Sequence, residues 1–168
     1  ICCPRIGGRL DPDITDPNNP SVEAVDIHGS NKQGTKTMSD ETGIRRGLTN
    51  YGDKNFAQYL RNSFARSMGL SREMLAKPIV GIAMTPSSFN NCHRAMPELV
   101  EAAKRGVLAA GGLPIEFPTI SLGEVFLNPT SLMFRNLMSM DVEEMVRAQP
   151  MDSVVLIGGC DKTVPAQL

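Results

Sequence analysis

The chain has 168 residues, of which 41% are hydrophobic, and its 17 basic and 18 acidic residues give a net charge of -1. This composition is typical of a globular domain, and the nearly neutral charge provides no broad attraction for nucleic acid or an anionic membrane surface. No apolar run approaches the ~20 residues of a membrane-spanning helix, so we expect a cytoplasmic protein that acts on small molecules.

The first 42 residues predict an irregular or disordered extension. They are rich in Pro, Gly, Asp, Asn, Ser and Thr and have no sustained helical or strand periodicity. Cys2 and Cys3 lie in this segment and indicate no definite site. The chain starts at Ile1 and stops at Leu168, soon after an apolar stretch, so we interpret it as part of a longer protein.

The next segment predicts a helix, a strand and a second helix. Apolar residues recur at helical spacing over residues 55–68, and Gly69 follows where a helix would end. Residues 79–84 are apolar and partly β-branched, which favours a buried strand. A polar loop leads to Cys92, after which a helix is predicted. The apolar side of that helix consists of Met96, Leu99, Val100, Ala103 and Val107.

The alternation of strands and helices continues to the end of the chain. Residues 113–117 predict a second strand and residues 130–140 a helix. Asp141 with Glu144 resembles a capping box, which predicts a further short helix. Residues 153–157 predict a third buried strand. The whole order favours an α/β fold with a mainly parallel sheet flanked by helices.

Three polar loops follow the three predicted strands. They comprise residues 85–92, 118–129 and 158–165. In open parallel sheets, ligands bind beyond the carboxyl ends of the strands. We therefore expect the three loops to meet at one site.

The third loop combines a thiol, a carboxylate and an amine in Cys160, Asp161 and Lys162, directly after two glycines. Glycines allow the backbone to approach a bound group closely. Thiolate suits iron or zinc, whereas carboxylate oxygen suits Mg²⁺. A buried cysteine beside a surface ion pair is the alternative interpretation, and the tripeptide alone does not separate the two.

Cys92 is expected at the start of a helix, where the dipole and the open N–H groups lower a thiol pKa and favour a metal-binding thiolate. A cysteine that only fills space is the simpler alternative. His93 is a candidate second ligand, but a solvent-facing or helix-end histidine fits the pattern better.

Glu124 lies in the second loop and is a candidate for a hard-metal site with Asp161. An exposed loop glutamate is the alternative. Arg135 and Asn136, on the following helix, are candidates for binding a substrate carboxylate or hydroxyl, since guanidinium binds carboxylate through two hydrogen bonds. A solvated helix face explains these two residues equally well.

Residues 158–168, Gly-Gly-Cys-Asp-Lys-Thr-Val-Pro-Ala-Gln-Leu, are similar to the signature of the dihydroxy-acid dehydratase and phosphogluconate dehydratase family. The resemblance extends upstream to about Gly43, through residues 129–137 and 111–118. It implies that residues 43–168 are the amino-terminal part of a truncated iron–sulfur dehydratase domain.

The resemblance also assigns roles to the candidate residues. Cys92 and Cys160 resemble ligands of an iron–sulfur cluster, [2Fe-2S] in preference to [4Fe-4S]. Glu124, Asp161 and Lys162 resemble the Mg²⁺ ligands, the lysine as its carbamate.

The family's third cluster cysteine, a further acidic metal ligand and the serine that acts as base are expected beyond Leu168. Residues 1–168 alone are therefore expected to be inactive.

The implied activity is that of a homo-oligomeric hydro-lyase, which dehydrates a 2,3-dihydroxy acid or sugar acid to a 2-keto acid. The wording of residues 121–124, Ser-Leu-Gly-Glu, is closer to the arabonate and xylonate dehydratases than to the enzyme of branched-chain amino-acid biosynthesis.

Two alternatives remain open at this point. One is a non-catalytic, zinc-stabilised α/β module in which Cys92 and Cys160 are structural ligands. The other is a thiol enzyme with Cys160 as nucleophile and His93 as base, which requires the histidine within about 3 Å of the Cys160 sulfur.

Overall fold

A computed structural model describes residues 42–48 and 51–168, so Cys2, Cys3 and nearly all of the predicted extension lie outside the described residues. Three parallel strands form one sheet in the order β2-β1-β3. They are β1 (Ile79–Met84), β2 (Leu113–Pro118) and β3 (Ser153–Leu156). The predicted α/β fold with a parallel sheet is confirmed, and each strand begins at the predicted residue.

The described residues include five α-helices. These are α1 (Lys54–Ser67), α2 (Arg72–Leu75), α3 (Met96–Ala109), α4 (Arg135–Ala148) and α5 (Thr163–Gln167). Short 3₁₀ turns lie at Gly43–Arg45, Asn91–His93 and Ser131–Phe134. Helix α1 begins at Asp53, whose carboxylate accepts the Asn55 N–H, as helix N-caps do. None of these helices has the length and apolar character needed to cross a membrane.

The two connections between the strands run in opposite directions across the sheet, with β2 on one side of β1 and β3 on the other. Helix α3 leads from β1 to β2 on one side, and α4 then carries the chain back to β3 on the other side. Because parallel crossovers are right-handed, this reversal places α3 and α4 on opposite faces of the sheet. The carboxyl ends of β1 and β3 thus flank the topological switch point, where open α/β sheets bind ligands.

An apolar cluster covers one face of the sheet. Its buried members are Ala65, Leu75, Ile79, Ala83, Leu113, Phe117 and Met151. Ile79 and Ala83 share one face of β1 because alternate strand residues point to the same side. At the amino end of the sheet, Asp152 Oδ2 accepts hydrogen bonds from the N–H groups of Gly43 and Ile79, each at 2.8 Å. This carboxylate joins the turn before α1 to the start of β1.

The predicted helix break at Asp141 is wrong. Helix α4 continues through this position to Ala148, and the Asp141 carboxylate accepts the N–H of Ile120 at 3.1 Å instead of capping a new helix. The sequence predicts a helix that starts at residue 130. A 3₁₀ turn capped by the Thr130 hydroxyl lies there instead, and α4 follows it from Arg135. Asp141 therefore makes a contact with the preceding loop and caps no helix, because the backbone N–H groups at this position are already within α4.

Candidate functional site

The two candidate cluster cysteines lie on adjacent turns at the switch point. Cys92 is in the 3₁₀ turn that follows β1, and Cys160 is four residues after β3. Both residues are half-buried. Asn90 joins them, since its Oδ1 accepts the Cys92 N–H at 3.1 Å and lies 3.6 Å from Cys160 Sγ. The predicted convergence of the first and third loops is confirmed.

Cys92 precedes helix α3 by a separate turn, since α3 begins at Met96. The predicted position at a helix start is therefore replaced by a 3₁₀ turn. The Cys92 N–H donates to Asn90 Oδ1, which is an Asx-type contact with the residue two positions earlier. Sequence reasoning missed Asn90, although an asparagine two positions before a loop cysteine is a recognisable sign of such a turn.

The two cysteine turns are in direct backbone contact at Gly159. A Cβ atom at this position would lie 2.5 Å from the Cys92 carbonyl oxygen and 2.9 Å from both His93 Cδ2 and Met96 Cε. Real Cβ atoms do not approach backbone oxygen so closely. Glycine is therefore required for the two turns to pack as they do.

His93 is fully buried and uses both ring nitrogens inside the protein. Nδ1 lies 2.7 Å from the Thr85 carbonyl oxygen and 2.9 Å from Ser121 Oγ. Nε2 accepts the Gly159 N–H at 3.3 Å. Desolvation lowers the pKa of His93, and the nearby Arg135 charge lowers the pKa further, against a hydrogen bond to Thr85 that raises it.

These contacts contradict the predicted solvent-facing histidine. Burial of His93 is possible because the neutral ring finds an acceptor for its N–H and a donor for its lone pair. The thiol-enzyme alternative needs this ring beside Cys160 Sγ, and its nitrogens instead face backbone groups and hydroxyls. The geometric requirement of that alternative is not met.

Glu124 belongs to a compact polar cluster at the second loop. Its carboxylate accepts hydrogen bonds from Thr130 Oγ1 at 2.8 Å, from the Ser131 N–H at 3.0 Å and from the Ser131 hydroxyl. Lys162 Nζ lies 3.2 Å from Glu124 Oε2. The Ser131 hydroxyl, followed by Thr130 and Lys162, lowers the pKa of Glu124 to about 2. Glu124 is therefore an ionised, pre-oriented carboxylate that joins the second loop to the third.

Asp161 is exposed on the turn between Cys160 and Lys162. Within residues 42–48 and 51–168, no three His, Cys, Asp or Glu side chains form a group that could hold a metal ion. Among the described residues, the structure pairs Glu124 with Lys162, whereas the Asp161 carboxylate makes no hydrogen bond or ion pair with either of them. The candidate Mg²⁺ ligands thus form a partial set.

Arg135 is buried rather than solvated, with 9% of its surface exposed. Its guanidinium donates to Thr163 Oγ1 at 3.2 Å and lies 3.5 Å from the Leu122 carbonyl oxygen. Its Nε has no partner among the described residues. Asn136, one residue further, is exposed with its amide 3.8 Å from Met140 Sδ. Arg135 thereby connects the second loop to the start of α5.

A family profile of known proteins matches the part of the chain that carries these residues. The family profile described as dihydroxy-acid/6-phosphogluconate dehydratase N-terminal matches residues 77–168. This range contains all of the candidate site residues.

Three curated relatives illustrate the similarity. The 6-deoxy-6-sulfo-D-gluconate dehydratase of Pseudomonas putida is 46% identical over 61% of this chain and 18% of its own length. The L-arabonate dehydratase of Azospirillum brasilense is 46% identical over 69% of this chain and 20% of its own length. A dihydroxy-acid dehydratase of Nitratidesulfovibrio vulgaris is 38% identical over 63% of this chain and 20% of its own length.

The chain thus spans about a fifth of the length of these relatives. More than half of its residues match the family profile. The chain belongs to the dihydroxy-acid/6-phosphogluconate dehydratase family of enzymes, in whose amino-terminal region residues 77–168 lie.

Proposed function

We propose that the intact protein is a hydro-lyase that removes water from a 2,3-dihydroxy acid of the sugar-acid class and forms a 2-keto acid. The observation that carries this proposal is the convergence of two cysteines and an ionised glutamate–lysine pair at the switch point of a dehydratase-family sheet. The sugar-acid dehydratases of Pseudomonas putida and Azospirillum brasilense are each 46% identical to this chain and the dihydroxy-acid dehydratase of Nitratidesulfovibrio vulgaris is 38% identical, which supports the substrate class.

Cys92 and Cys160 are the proposed ligands of an iron–sulfur cluster. Thiolates are the side chains that such clusters bind, and the two turns that carry them are packed against each other through Gly159. Both side chains are half-buried, so they are partly protected from solvent and still reachable by a bound group. The donor type and its placement fit the cofactor.

Glu124, Asp161 and Lys162 are the proposed Mg²⁺ ligands. Glu124 is ionised and already oriented, as a hard-metal carboxylate ligand should be. An ammonium group would repel Mg²⁺, but reaction of the Lys162 amine with CO₂ forms a new N–C bond, releases a proton and leaves an anionic carbamate. The remaining ligands are proposed to come from the parts of the enzyme that this chain does not contain.

In the proposed reaction, the cluster and Mg²⁺ would supply Lewis acids for the departing hydroxyl and for the substrate carboxylate. The chain's own contribution is to hold both metal sites at one edge of the sheet. Glu124 is fixed by Thr130 and Ser131, and Arg135 fixes the Leu122 loop to Thr163. Arg135, whose buried Nε has no partner among the described residues, is proposed to bind the substrate carboxylate, and Asn136 a substrate hydroxyl.

The zinc-stabilised module is the competing interpretation. A structural zinc site uses four nitrogen or sulfur ligands in tetrahedral geometry. The described residues bring together two cysteines, and the nitrogens of His93 already have other partners. The geometry therefore favours the dehydratase. The cytoplasmic location and the homo-oligomeric state stay predictions.

The deciding experiment is anaerobic purification of the intact protein, followed by iron, zinc and sulfide analysis and a 2-keto acid assay. L-arabonate, D-xylonate and a branched 2,3-dihydroxy acid are the substrates to compare. We expect iron, acid-labile sulfide and Mg²⁺-dependent turnover, fastest with the sugar acids. A colourless, iron-free protein that is active, or a zinc protein without turnover, would contradict the proposal.

The role of Lys162 has its own test. Lys162→Arg keeps the positive charge and the contact with Glu124 but cannot form a carbamate. We expect loss of Mg²⁺-dependent turnover and of the carbamate carbon signal in the ¹³C NMR spectrum of the folded protein incubated with ¹³C-bicarbonate. Lys104→Arg, on α3 beside Glu101 and Glu116, is the matched control and should keep full activity.

A further inference from the structure

His93 contacts all three loops of the site from a fully buried position. Its ring lies against Thr85 at the end of β1, Ser121 in the second loop and Gly159 in the third loop. These partners are 8, 28 and 66 positions away in the chain. A single side chain thus connects segments that are joined by no regular secondary structure at this point.

The direction of the hydrogen bonds is fixed by the partners. The Thr85 carbonyl accepts only, so Nδ1 carries the proton, and the Gly159 N–H donates only, so Nε2 presents its lone pair. A neutral imidazole in this tautomer satisfies both groups at once. An apolar side chain in its place would leave the Thr85 carbonyl and the Gly159 N–H without these partners.

We propose that His93 is a positioning residue for the two cysteines: by accepting the Gly159 N–H, it holds the Cys160 turn against the Cys92 turn and sets the spacing of the two thiols. His93 is adjacent to Cys92 in the sequence, and Gly159 is adjacent to Cys160. The hydrogen bond therefore joins the residues next to the two proposed ligands. This inference rests on the proposed function, which gives that spacing its purpose.

The backbone contact at Gly159 supplies an independent argument. Because a Cβ there would overlap the Cys92 carbonyl oxygen, the approach of the two turns is tight on both sides of the hydrogen bond. Glycine permits the approach, and His93 Nε2 provides the attraction that maintains it. Removal of either should let the two thiols separate.

The test measures the thiol spacing directly in the intact, metal-free protein. A bifunctional methanethiosulfonate whose two reactive sulfurs are joined by one methylene group is added, and peptide mapping by mass spectrometry follows the bridge between Cys92 and Cys160. We expect the wild-type protein to form this bridge readily. His93→Phe should slow its formation by about fivefold to tenfold, the change that loss of one buried hydrogen bond produces.

Two further variants separate positioning from general stability. His93→Gln offers both a donor and an acceptor, so it should restore the bridging rate to within about twofold of wild type. Leu75→Ala removes a buried side chain from the apolar cluster and should leave the rate unchanged while lowering stability. Gly159→Ala should slow bridging even where His93→Phe does not fold, because His93 itself is intact.

The outcomes distinguish this inference from the proposed function. A wild-type bridging rate in His93→Phe and Gly159→Ala, an equal loss in Leu75→Ala, or no bridge in the wild-type protein would overturn the role of His93. Iron and sulfide in the purified wild-type protein would leave the proposed function intact in that case. The converse result, a response of the bridge to His93 in a protein without iron, would support the positioning role and contradict the cluster.

Discussion

The amino ends of the three strands are held together mainly by apolar packing, whereas their carboxyl ends are held by buried polar side chains. Leu75, Ile79, Leu113 and Met151 are the members of the apolar cluster at the amino ends, with Asp152 as the anchoring carboxylate, and Ala83 and Phe117 extend the cluster along the sheet. The second region contains every buried polar side chain of the described residues. These are Thr85, Asn90, His93, Ser131, Arg135, Thr163 and Gln167.

The difference indicates that the contacts at the two ends of the sheet determine different properties. Apolar packing has no preferred direction and responds to volume, so the amino end fixes stability. Hydrogen bonds have defined directions, so the carboxyl end fixes the positions of particular atoms. Substitutions at the two ends should therefore separate into those that change stability and those that change activity.

Cys160→Ser should produce the largest effect, and only on activity. Loss of a cluster ligand removes Lewis-acid stabilisation of several kcal/mol, which corresponds to about a thousandfold loss in kcat/KM. The iron content should fall in parallel, and the unfolding midpoint should change little because the side chain is half-buried. Cys2→Ser, at a cysteine with no predicted role, is the matched control. Retention of both iron and activity in Cys160→Ser would contradict the proposal that Cys160 at the carboxyl end of the sheet binds the cluster.

Leu113→Ala should act at the amino end and only on stability. This side chain is 1% exposed, and its truncation should reduce the unfolding free energy by about 2–5 kcal/mol. Urea unfolding measures this loss, and kcat/KM of the folded fraction should equal that of wild type. Leu108→Ala, at an exposed position of α3, should change stability by no more than about 0.5 kcal/mol.

Glu124→Gln should reduce activity by about a hundredfold or more through weaker Mg²⁺ binding, because loss of a charged ligand should cost at least as much as loss of an outer-shell partner. The activity should recover partly when the Mg²⁺ concentration is raised. Glu116→Gln, which removes an exposed carboxylate paired with Lys104, is the control and should behave as wild type. A Mg²⁺ dependence unchanged by Glu124→Gln would mean that this residue only stabilises its loop.

Asp152→Ala tests the polar exception at the amino end. The substitution leaves the N–H groups of Gly43 and Ile79 without their acceptor, which should cost about 1–3 kcal/mol of unfolding free energy. Glu143→Ala, which breaks an exposed pair with Arg147, should cost less than about 1 kcal/mol. Equal stability of the two variants would show that the amino end depends on packing alone.

The smallest effect is a pH dependence of stability. The pKa of Glu124 is lowered from 4.5 to about 2, so its ionised form stabilises the folded state above pH 4.5. That contribution should be lost as the pH falls from 4.5 towards 2. Urea unfolding across this range should show a steeper decline for wild type than for Glu124→Gln. Identical pH profiles would show that the contacts of Glu124 with Ser131 and Lys162 do not cause a pH dependence of stability.

Local sequence pattern was sufficient for the strands and for the meeting of the loops. Residues 79–84 form β1 with the predicted bounds, because β-branched residues in an apolar run favour a buried strand whatever surrounds it. The same reasoning located α1 but not its packed side. Ala57 and Ala65 are buried there, whereas Phe64, one of the apolar residues at helical spacing within residues 55–68, is 69% exposed.

The contacts at the carboxyl end were less predictable because their partners are distant in the chain. The burial of His93 depends on Ser121 and Gly159, and that of Arg135 on Leu122 and Thr163. Neither residue has a local signal that distinguishes it from an exposed one. The adjacency of Glu124 and Lys162, by contrast, followed from their positions on loops at the same edge of the sheet.

The strand order β2-β1-β3 also has a consequence for biosynthesis. The chain completes β1 and β2 before β3 exists, so Cys92 has no neighbouring Cys160 until β3 docks against β1. Contacts between segments this far apart form late in folding, because a long loop must close first. Formation of the proposed cluster should therefore follow folding of this sheet, because a newly made chain that stalls before β3 would have Cys92 without its proposed partner Cys160.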